Sequence, residues 1–114
     1  MITIEALKQA GAETDSGLAR CMGNESFYIR LVNMALDGEE YAKLRTAVEE
    51  HRLKDAFEYA HALKGMLGNV SLTNLLDPIL EMTEALRHEE DRDYSGLLDQ
   101  MDDELAKLKA LRED

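Results

Sequence analysis

Residues 55–70 read Asp55-Ala56-Phe57-Glu58-Tyr59-Ala60-His61-Ala62-Leu63-Lys64-Gly65-Met66-Leu67-Gly68-Asn69-Val70. Ala56, Ala60, Leu63, Leu67 and Val70 recur at alternating three- and four-residue steps, the pattern of a helix with a single apolar stripe. His61 falls about 160° around that helix from Leu63, so the spacing aims its imidazole at solvent from mid-helix. Phe57, Lys64, Gly65 and Gly68 share its face. Each interior glycine should weaken the helix by about 1 kcal/mol relative to alanine. Two on one face therefore need a compensating reason, and uncovering the imidazole for close approach by another protein supplies one.

The same periodicity extends in both directions. Residues 3–10 form a short helix capped by Thr3, which Gly11 interrupts. Asp15 or Ser16 caps a second over residues 17–22, stopped by Gly23. Asn24 caps a third, on which Phe27, Leu31, Met34 and Ala35 repeat at helical spacing until Asp37-Gly38. Glu39-Glu40 opens a fourth with Tyr41, Leu44 and Val48 on its stripe, and the chain turns over residues 51–54. A helix over residues 55–69 follows. Ser71 caps the next helix, where Pro78 leaves two alternatives: an interior proline that kinks it, or a fresh start capped by Asp77. Residues 88–93 form a charged connection. Tyr94, Leu98, Met101, Leu105 and Leu108 stripe the last helix. The expectation is an all-α fold: one domain over residues 1–114, an antiparallel up-down four-helix bundle with additional short N-terminal helices.

Composition narrows the function classes. The 114 residues are 45 % hydrophobic and 32 % charged, as in a globular domain, and carry a formal net charge of −11. Such a surface repels nucleic acid and anionic membranes, so neither is an expected partner. Cys21 is the sole cysteine, which rules out an intrachain disulfide and gives a metal site a poor start. With no membrane-length apolar run and no signal-peptide pattern at the start, a cytoplasmic monomer is expected.

A lone histidine usually serves structure, and His51 and His88, at expected helix ends, fit that reading. His61 does not fit a core, and an inert surface histidine leaves the two glycines unexplained. Neutral imidazole is a good phosphoryl acceptor, and Lys64, one turn along, would place an ammonium near a bound phosphoryl group. Lys64 alone reads as an ordinary surface lysine, and Phe57 as a packing residue that becomes a partner contact if partly exposed. Glu58-x-x-His61 also has the spacing of a carboxylate-bridged di-metal bundle, but the second such pair is missing, since Val48 precedes His51 and Ala85 precedes His88 by three. No Gly-rich nucleotide loop is present.

His61-x-Leu63-Lys64-Gly65, followed by Gly68-Asn69-Val70, Leu72 and Leu75, resembles the HPt (histidine-containing phosphotransfer) domain family of multistep two-component signalling. Gly17-Leu18-Ala19-Arg20, Gly23-Asn24 and Phe27-Tyr28 with Leu31 resemble its entry segment, so the resemblance covers roughly residues 15–90. It implies that His61 is phosphorylated, that Lys64 helps hold the phosphoryl group, and that Gly65 and Gly68 leave room for a partner. The implied partners are response-regulator receiver domains and a hybrid sensor histidine kinase. It implies no kinase activity and no cofactor on this chain; magnesium would sit on the receiver. Ser71 departs from the small residue, often glycine, that the family has there, and Pro78 interrupts a usually continuous helix. The alternative is a helical adaptor without chemistry.

Overall fold

A computed structural model describes residues 1–113. Among them the chain forms seven α-helices and no strand: α1 (Ile4–Gln9), α2 (Thr14–Arg20), α3 (Glu25–Leu36), α4 (Glu40–Glu49), α5 (Leu53–Asn69), α6 (Thr73–Arg87) and α7 (Ser95–Ala110), closed by a 3-10 turn, Leu111–Glu113. Helix α5 packs between α4 and α6, and α6 packs on α7. The links over residues 50–52 and 70–72 are too short for anything but antiparallel neighbours. Arg45 on α4 reaches Asp99 at 3.0 Å and Asp102 at 2.7 Å on α7, which closes the four-helix ring. The expected all-α bundle with short N-terminal helices is the observed one.

Helices α1–α3 gather at the end of the bundle where α5 and α7 finish. The Tyr28 hydroxyl donates to the Val70 carbonyl at 2.8 Å, and the Glu13 amide donates to Ser71 O at 3.0 Å. Arg112, just past α7, donates to Asn33 Oδ1 and Asp37 Oδ1 on and beside α3, each at 2.9 Å. Burial pushes the Tyr28 phenol above its ordinary range, with Cys21 adding to the effect, so it remains a donor. A single hydrophobic core runs from Ile2 to Leu108.

The expected stripes of α5 and α7 are buried throughout. On α4, Tyr41 and Leu44 are buried and Val48 is half-buried. The α3 stripe is only partly the expected one: Ala35 is buried and Leu31 half-buried, but Phe27 and Met34 are not. Phe27 is 42 % and Met34 61 % exposed, while Tyr28, Val32, Ala35 and Leu36 face inward. The helix is rotated because Tyr28 satisfies both the core and the Val70 carbonyl, which Phe27 has no polar group to do.

Thr3 and Asn24 cap as expected, accepting from the Ala6 and Phe27 amides, each at 3.1 Å. Other boundaries differ. Helix α2 begins at Thr14, which leaves Asp15 and Ser16 inside its first turn, and α5 begins at Leu53. Ser71 is not an N-cap: α6 starts at Thr73, and Ser71 has φ +56° in the turn that ends α5. Helix α6 runs unbroken from Thr73 to Arg87 with Pro78 buried inside it, so Asp77 caps nothing.

Four helix ends make the same left-handed turn without a glycine. Met22, His51, Ser71 and Glu89 take left-handed φ between +52° and +58°. After α4, the His51 amide donates to Val48 O at 3.0 Å and the Arg52 amide to Ala47 O at 2.8 Å, and the ends of α2, α5 and α6 repeat this pair. This is the Schellman closure, in which glycine is the unstrained residue. Glu89→Gly is therefore expected to stabilise the fold by roughly 0.5–1 kcal/mol. Urea unfolding checks it, and a loss of stability would mean that the Glu89 side chain holds the turn.

Candidate functional site

The buried stripe of α5 fixes what its other face presents. His61 is exposed at mid-helix, with Lys64 and Gly65 exposed and Phe57 and Gly68 half-buried beside it. All five residues singled out in the sequence thus lie on one surface strip. The Phe57 ring stacks on His61, with centroids 5.5 Å apart and planes 19° from parallel. A Cβ at Gly65 or Gly68 would meet no described atom within 4 Å. Nothing in the described fold therefore needs a glycine at either place, and their effect is to keep the ground beside the imidazole open.

Two contributors come from α6. The Arg87 guanidinium lies over the Phe57 ring, 5.1 Å from its centroid. Leu80, 40 % exposed, stands two turns before Arg87 on the same side of α6. In an antiparallel pair that stripe continues alongside Lys64 and Gly68. Helical spacing alone groups Leu80 with Arg87, but only the packing of α6 on α5 brings Arg87 onto the Phe57 ring that stacks on His61. Lys54, seven residues before His61, adds a cation to the strip of a chain whose net charge is −11.

The other histidines are differently placed. His51 Nδ1 lies 3.1 Å from Asp91 Oδ1, and His88 Nε2 lies 3.2 Å from Glu84 Oε1, so each sits at a helix end against a carboxylate. His61 has instead an aromatic ring on one side and two bare glycine positions along its strip. Among the described residues no three His, Cys, Asp or Glu side chains are grouped as metal ligands, and no helix is long and apolar enough to cross a membrane.

The family model described as the Hpt domain matches residues 38–111. The match spans all four bundle helices and every residue of the strip. It takes in the last helix, which the resemblance left aside, and leaves out Gly17 to Arg20, Gly23-Asn24 and the Phe27 to Leu31 run. No curated protein matches the chain, and neither does any solved structure.

Proposed function

The chain belongs to the Hpt domain family, non-catalytic phosphocarriers of two-component signalling, and from that premise we propose that His61 is its phosphoryl-carrying residue in a multistep relay. The observation that carries this reading is the setting of His61: exposed at mid-helix, stacked on Phe57, with open space at Gly65 and Gly68. Residues 1–114 act as one cytoplasmic, monomeric unit. Receiver domains, one of them in a hybrid sensor kinase, exchange the group with it.

In the forward step the imidazole attacks the phosphorus of a receiver's aspartyl phosphate in line, and in the reverse step a receiver aspartate attacks phosphorylated His61. Positioning and charge neutralisation carry such exchanges. Lys64 offers an ammonium to the phosphoryl oxygens. Gly65, Gly68 and the exposed Leu80 form the surface on which the receiver rests, with magnesium held on the receiver's side.

Phosphoramidate, a small donor that phosphorylates accessible imidazoles, tests the reading directly. Intact mass should show one acid-labile phosphoryl group on the wild type and none on His61→Gln, while His51→Gln and His88→Gln keep it. Equal uptake by His61→Gln would remove the special status of His61 and leave the adaptor as the better description.

A further inference from the structure

An imidazole on a helix surface turns about two side-chain torsions, and only some of its orientations point a nitrogen lone pair along the line to an incoming phosphorus. His61 is held more closely than that. Phe57, one turn earlier, lies nearly parallel to it, 5.5 Å away between centroids. Phe57 is half-buried, and its ring carries the Arg87 guanidinium at 5.1 Å. Arg87 comes from α6, where its Nε also lies 3.4 Å from Glu84 Oε2. A cation over an aromatic face is attracted to it, and parallel rings support each other's orientation. Three planar groups from two helices thus form a ladder, Arg87–Phe57–His61.

We infer that Phe57 and Arg87 are positioning residues that hold the plane of the His61 ring for in-line phosphoryl exchange. The inference rests on the reading of His61 as the carrier. In the step they serve, the lone pair of the unprotonated ring nitrogen forms the N–P bond while the P–O bond of the partner's aspartyl phosphate breaks. The bonding pair leaves with the carboxylate, and the proton on the other ring nitrogen takes no part. Phe57 and Arg87 exchange no atoms in this balance. A docking contact would govern affinity, and a packing residue would govern stability. A positioning residue governs the rate at saturation and the environment of the ring.

The test uses the full chain with Phe57→Leu, Phe57→Tyr and Arg87→Gln, each checked by urea unfolding. Proton–carbon NMR reads the His61 ring resonances. Phosphoryl transfer is followed from an acetyl-phosphate-charged receiver domain that labels the wild type, selected from a panel. In the wild type the stacked Phe57 should shift the His61 ring protons away from the values of an exposed histidine, and Phe57→Leu should return them. The saturated transfer rate of Phe57→Leu should fall about tenfold, with half-saturation moving by no more than about threefold. Phe57→Tyr should restore both signals, and Arg87→Gln should show a smaller loss of rate. A wild-type saturated rate in Phe57→Leu despite a lost ring shift would overturn the inference, as would a loss confined to half-saturation. Absence of the ring shift in the wild type would overturn the ladder whatever the transfer assay shows. The carrier reading itself fails on a different result, equal phosphoramidate labelling of His61→Gln.

Discussion

Gly65→Leu is expected to yield a more stable protein that is a much poorer phosphoryl carrier. Glycine within a helix is about 0.8–1 kcal/mol worse than a good helix former, and leucine is one. Nothing described lies within 4 Å of a Cβ at this position, so no clash opposes the gain. The unfolding free energy should rise by about 0.8 kcal/mol, or roughly 3–6 °C in Tm for a chain of this size. The new side chain would stand one turn from His61 on the same face, in the space through which a receiver's aspartate must approach. Holding the reacting groups even about 1 Å too far apart costs on the order of 100-fold. Transfer from a charged receiver should fall by that factor, while phosphoramidate, small enough to pass, labels the variant like the wild type. Urea unfolding and receiver transfer measured together decide the matter. A stabilised variant with normal transfer would end the role of Gly65 in partner approach, and a destabilised one would reveal a packing role.

Gly17→Ala should do the opposite, lowering stability by about 2–3 kcal/mol. A Cβ there would lie 2.8 Å from Tyr28 Cζ and 2.9 Å from its hydroxyl oxygen. Tyr28 is fully buried and has no free direction to yield. Moving its ring would break the 2.8 Å bond to Val70 O and leave a buried carbonyl without that donor. Urea unfolding should show a lower midpoint, and phosphoramidate labelling of the folded protein should be unaffected, because the damage lies at the end of the bundle and not on the His61 strip. A midpoint within about 0.5 kcal/mol of wild type would show that the ring can shift at little cost.

These two glycines mark how far the amino-acid order could be read. His61, Lys64, Gly65 and Gly68 lie on one helix, so helical phase alone gathers them. The stripes of α5 and α7 were equally plain because every stripe position is buried. On α3 the rule failed, since Phe27 is the more apolar residue and Tyr28 the buried one. The choice depends on a carbonyl 42 positions away and on a gap that only Gly17 leaves. The end of α2 slipped where Gly23 was taken as the stop signal, because Met22, just before it, already adopts the left-handed turn without being glycine. The place of Arg87 and Leu80 next to the strip was not legible for another reason: which side of α6 meets α5 is settled by packing between helices.

The order of those packings bears on how the chain folds. The closest pairings in the bundle, α4 on α5, α5 on α6 and α6 on α7, join helices that are consecutive in the chain. Little loop entropy must be lost before each hairpin gains contacts, and topologies of this kind fold in microseconds to milliseconds. The N-terminal helices attach through distant partners, Tyr28 to Val70 and Asn33 to Arg112. Their docking is therefore expected on the late side of the barrier, where interactions slow unfolding more than they speed folding. The end piece formed by α1–α3 acts in kinetic terms as a latch, prolonging the life of a bundle whose four helices can pair before it arrives.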